Sequence, residues 1–113
     1  MIELVAGSLT FRLRTWGPDE ASPLLVLSHV PDVSFSIDGI ASALAASRPP
    51  RRVLAPERID LGADRAFPAI ADNIAKLIEA LGCGRIDVVG IGFGGSVAVF
   101  LGTTAPHLVR SIA

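Results

Sequence analysis

The sequence has a single cysteine, Cys83, so no disulfide can form within the chain. That excludes a small disulfide-stapled scaffold and fits a reducing, cytoplasmic setting. Between Gly82 and Gly84, with no histidine near it in sequence, Cys83 reads as a structural thiol rather than a nucleophile. Lysine is as scarce. The ten basic residues are nine arginines and one lysine, scattered rather than striped, and the net charge is −1. No electrostatic footprint for nucleic acid results. No apolar run reaches the roughly 18 residues of a membrane-spanning helix, and no basic amino terminus leads into an apolar signal core. Neither a repeat nor a low-complexity tract is present. The only histidines are His29 and His107, and no His/Cys/carboxylate set has metal-ligand spacing. No metal or cofactor is therefore expected.

What the sequence does have is apolar residues, half of its 113, with a mean hydropathy of +0.55. A chain of this length is one domain by size and buries roughly 65% of its unfolded surface. The excess apolarity implies parallel strands buried on both faces, or surface meant for a partner.

Residues 2–6 and 9–16 read as paired strands around Gly7-Ser8. Thr10, Arg12 and Arg14 alternate with Phe11, Leu13 and Thr15, the period of a half-exposed hairpin. "LLVLS" (24–28) reads as a strand buried on both faces. A helix is expected from about Ser36 to Ser47, capped by Ser34 or Ser36, with Ile40, Ala43 and Leu44 inward, and it ends at Pro49 and Pro50. Arg48, Arg51 and Arg52 flank those prolines and read as a solvated loop, and "RVLAP" (52–56) as a short buried strand. Residues 57–65 form a polar loop. Ile70, Ile74, Leu77, Ile78 and Leu81 predict a helix over 67–81 that Gly82 stops. "IDVVG" (86–90) is the next strand, Gly95–Thr104 the next helix, and "VRSIA" the start of one more strand. Strands alternating with helices predict an α/β fold of three layers, with a mostly parallel sheet and an amino-terminal antiparallel hairpin.

The glycine turn "VVGIGFGGSV" (88–97) admits two readings. Gly90-x-Gly92-x-x-Gly95 after a strand and opening a helix fits a dinucleotide fingerprint, in which glycines let a pyrophosphate reach helix N–H groups. Against it, at least two strand–helix units precede the turn, and no acidic residue follows Asp87 to hold a ribose.

The other reading covers nearly the whole chain. "LLVLSHVPDVSFSIDGIASAL", "RVLAPERIDLGAD" and "FPAIADNIAKLIEALGCGRIDVVGIGFGGSVAVFLGTTAPHLVRSIA" occur in that order, and together they resemble the α/β-hydrolase family. The resemblance implies the amino-terminal half of that fold, through its nucleophile elbow and into its sixth strand. The family elbow is Gly-x-Ser-x-Gly, and its strained turn exposes the serine. Here Gly90 and Gly94 hold the outer positions and Gly92 the apex, so the nucleophile position is degenerate. Ser96, four residues on, reads as a packed helix serine. The resemblance implies oxyanion-type backbone donors at Val30 and Phe93. Ser28 and His29 stand where the family has histidine and glycine, and Glu57, Ile59, Asp60 and Asp64 where it has Asp, Arg, Gly and Ser. The triad acid and histidine of the family come later than residue 113. His107 reads as a surface cap.

The expectation is a non-catalytic or partner-dependent α/β-hydrolase-like subunit, not a conventional serine hydrolase on its own. The alternatives are one half of a split enzyme acting on a small organic molecule, and a nucleotide binder through Gly90, Gly92 and Gly95. Candidate ligand contacts are His29, Asp32 and Ser28. Asp38, Asp60 and Asp64 are carboxylates that read as caps or surface charge. The short sixth strand leaves the edge of "IDVVG" open, with no lysine or proline to blunt it. A homodimer or a complementing chain is expected to cover it.

Overall fold

Period-2 alternation decides which way each strand faces, and the sheet follows it. In the computed structural model, which describes residues 2–6, 9–27, 37–56 and 67–113, the elements are β1 (Ile2–Ala6), β2 (Leu9–Trp16), β3 (Ser22–Leu27), α1 (Ile37–Ala45), β4 (Arg51–Pro56), α2 (Phe67–Leu81), β5 (Ile86–Gly90), α3 (Phe93–Thr104) and β6 (Val109–Ile112). The six strands form one sheet in the order β1-β2-β4-β3-β5-β6. β1 and β2 form the antiparallel hairpin, β2 runs antiparallel to β4, and β4, β3, β5 and β6 are parallel. The expected α/β class, with its mostly parallel sheet and leading hairpin, is the one observed.

Leu25, Leu27, Leu54, Ile86 and Val88 point to one face, where they meet Ile70, Ile74, Leu77 and Ile78 of α2 and Val97 and Leu101 of α3. Leu24, Val26, Val53 and Ala55 point to the other face, where Ala41 and Ala45 of α1 cover them. Burial of apolar residues on both faces explains why "LLVL" and "VLAP" are unbroken apolar runs.

Two details differ from the expectation. The inner face of α1 is Ala41, Leu44 and Ala45, whereas Ile40 is 40% exposed and Ala43 is exposed too. Six of the nine residues of α1 are apolar, so periodicity does not single out one face. The small alanines turn inward because they let the helix lie close to the sheet. Arg51 and Arg52 are not solvated loop residues but the first two of β4, both half-buried. Pairing of Ser22 with Arg51 and of Pro23 with Arg52 carries the strand back to them. The turn at Gly7-Ser8, the caps Ser34 and Ser36, and the loop 57–65 lie outside the described residues.

β5 is paired on both sides, with β3 and with β6, so the open edge expected on β5 belongs to β6. That edge carries Arg110 and a register shift, two features that make a strand a poor template.

Candidate active site

The chain steps from β3 to β4 on one side of β3 and returns to β5 on its other side. Sheets that reverse direction in this way open a crevice at the carboxyl ends of the two diverging strands. Those ends are Leu27 and Gly90, which are register partners. The N–H of Ile91 donates to the Leu27 carbonyl at 2.8 Å, fixing the start of the glycine turn to the end of β3.

From Ile91 the chain turns sharply. Gly92 has φ 61° and ψ −125°, backbone that side-chain-bearing residues adopt only under strain. The helix resumes at once, with Gly94 N–H on the Ile91 carbonyl at 3.1 Å and Gly95 N–H on the Gly92 carbonyl at 2.9 Å. α3 therefore starts at Phe93, two residues before the expected Gly95, because the break is confined to Gly92. Strand and helix then pass so closely that a Cβ on Gly90 would lie 2.5 Å from the Gly95 Cα. Packing of strand against helix accounts for Gly90 without a nucleotide, whereas a Cβ on Gly95 would meet nothing closer than the Gly90 carbonyl oxygen at 3.6 Å.

Gly92 stands exposed at the apex, and a residue there projects over the carboxyl ends of the sheet. Phe93 is the first residue of α3. Ser96 lies on α3 and is exposed, so it is a solvated helix serine rather than a packed one. Ser28, His29, Val30 and Asp32 lie outside the described residues, as do Asp60 and Asp64; Asp38 falls in α1. His107 is exposed just beyond α3, and Cys83 is exposed after α2. Among the described residues, no three His, Cys, Asp or Glu side chains gather as a metal would require. No described helix is long and apolar enough to cross a membrane.

A strand, a positive-φ apex and an immediate helix, at the switch point of a mixed six-stranded sheet, define a nucleophile elbow in backbone terms. The same architecture occurs in an α/β hydrolase enzyme from the metagenome of lagoon sediments at Mar Chica, Morocco, with a TM-score of 0.79 and 17% identity over 99% of this chain and 50% of that one. The chain has the α/β-hydrolase fold. An epoxide hydrolase from Vigna radiata shares the α/β-hydrolase fold with it at a TM-score of 0.77 and 20% identity, over 98% of this chain and 37% of that one. By sequence, the chain is 29% identical over 107 residues to a serine hydrolase-like protein of Danio rerio, which covers 89% of this chain. It spans 32% of the length of that relative. No family model matches it.

Among the described residues, the strongest electrostatic feature lies away from the elbow, and the sequence reading did not find it. Asp87, the second residue of β5, is buried on the α1 side of the sheet. Its Oδ1 accepts from Arg110 Nε at 2.9 Å and Ser111 Oγ at 2.7 Å, and its Oδ2 from Arg51 Nη2 at 2.7 Å and Arg110 Nη2 at 2.5 Å. Those bonds, first of all the ones from Arg110, hold the carboxyl well below the usual carboxylate range against the opposing effect of burial. The signal was a lone acid inside the apolar run "IDVVG". A charge in a two-face-buried strand needs a partner.

Proposed function

We propose that this chain is a nucleophile-free α/β-hydrolase-like unit that binds rather than hydrolyses, and that it works together with further structure supplied by another segment or chain. Glycine at the apex of an otherwise intact elbow is the observation that carries this reading. The turn that would aim a nucleophile is present, and the group to be aimed is missing. Ser96, exposed on α3, is not at the apex and does not replace it. The solved structures described above are about two to three times longer than this chain, which spans 37% and 50% of them. In this reading the ligand contacts are those expected from the sequence, His29, Asp32 and Ser28, with the backbone N–H groups of Val30 and Phe93 as donors.

A second reading rests on the preserved main chain at the carboxyl ends of β3 and β5. The crevice is one half of a composite site for a small organic molecule, with the acid–base groups supplied by the companion segment. The companion is a second copy or a different chain.

A fluorophosphonate serine probe, with simple esters as substrates, tests the proposal. The purified 113-residue chain is expected to take up no stoichiometric label and to hydrolyse no ester. Stoichiometric labelling, mapped by peptide mass to Ser96 or any other serine, overturns it. Ester turnover that appears only with a companion chain present selects the second reading.

A further inference from the structure

We draw no further inference here: the strongest candidate, the outer face of α3, where Ser96, Val99 and Thr103 are exposed on a helix without a charged residue, carries nothing because nothing in the structure shows what covers it.

Discussion

A Cβ built on Gly90 would stand 2.5 Å from the Cα of Gly95 and 2.8 Å from the Gly94 carbonyl oxygen. All three contacts of that Cβ are backbone atoms, so no side chain can swing aside. Gly90→Ala is therefore expected to push α3 off β5 and to cost about 1–3 kcal/mol, as overpacking does. Urea denaturation of the purified variant checks it, and an unchanged midpoint would show that strand and helix are not held at this spacing.

Gly92→Ser restores the family residue at the apex but not its partners. The backbone there, φ 61° and ψ −125°, costs a side-chain-bearing residue about 1–3 kcal/mol. Stability is expected to fall by that amount, and by the same amount in Gly92→Ala. Ester hydrolysis is expected to stay at background, because a serine without its base and orienting acid is a weak nucleophile. Steady-state turnover by Gly92→Ser, absent from Gly92→Ala, would mean that a base already faces the apex.

The Asp87 network predicts a particular response to acid. Its carboxyl is held below the ordinary range by Arg110, Ser111 and Arg51. A depressed folded-state pKa adds stability that is fully present above the unfolded value of about 3.9 and is lost as pH falls from there toward the folded value. The stability gap between the parent and Asp87→Asn should be constant near neutrality and narrow as pH drops below about 4. Denaturation midpoints at a series of pH values read it directly. A gap that does not change with pH would contradict the ionic account.

The orientation of α1 can be tested with one charge at two adjacent positions. Ala41 is fully buried, while Ile40 is 40% exposed. Ala41→Asp is expected to cost several kcal/mol or abolish folding, and Ile40→Asp to change stability by no more than about 1 kcal/mol. Thermal melts of the two variants distinguish the faces, and the reverse ranking would restore the inner face expected from sequence.

Most of the elements could be read from the sequence because glycine, proline and periodicity marked them. Ile70, Ile74, Leu77 and Ile78 identified α2 and its inner face, and Gly82, at φ 69°, stops that helix. α1 was harder, since six apolar residues in a helix of nine leave periodicity more than one face to pick. The apex was legible as a glycine where a nucleophile belongs, but its strained torsions were not, because a lone glycine adopts many conformations. Asp87 was visible and its meaning was not. Its partners lie 36 residues before it and 23 and 24 residues after it, and only strand register brings them together. Ser28, His29, Val30 and Asp32 lie outside the described residues, and their assignment comes from the sequence.

β3 sits between β4 and β5 in the sheet, yet it precedes both in the chain. Leu24 waits for Val53 on one side and for Asp87 on the other. Closing the second of these pairings brings together segments separated by a strand, two helices and their connections, and the entropy of that closure is lost before any contact is gained. Non-local parallel pairing of this kind is slow. During synthesis the most apolar strand of the protein therefore emerges with both edges bare and is satisfied last on the side that carries the elbow. The interval in which "LLVL" waits for "IDVVG" is an exposure of apolar strand that the final stability of the sheet does not measure.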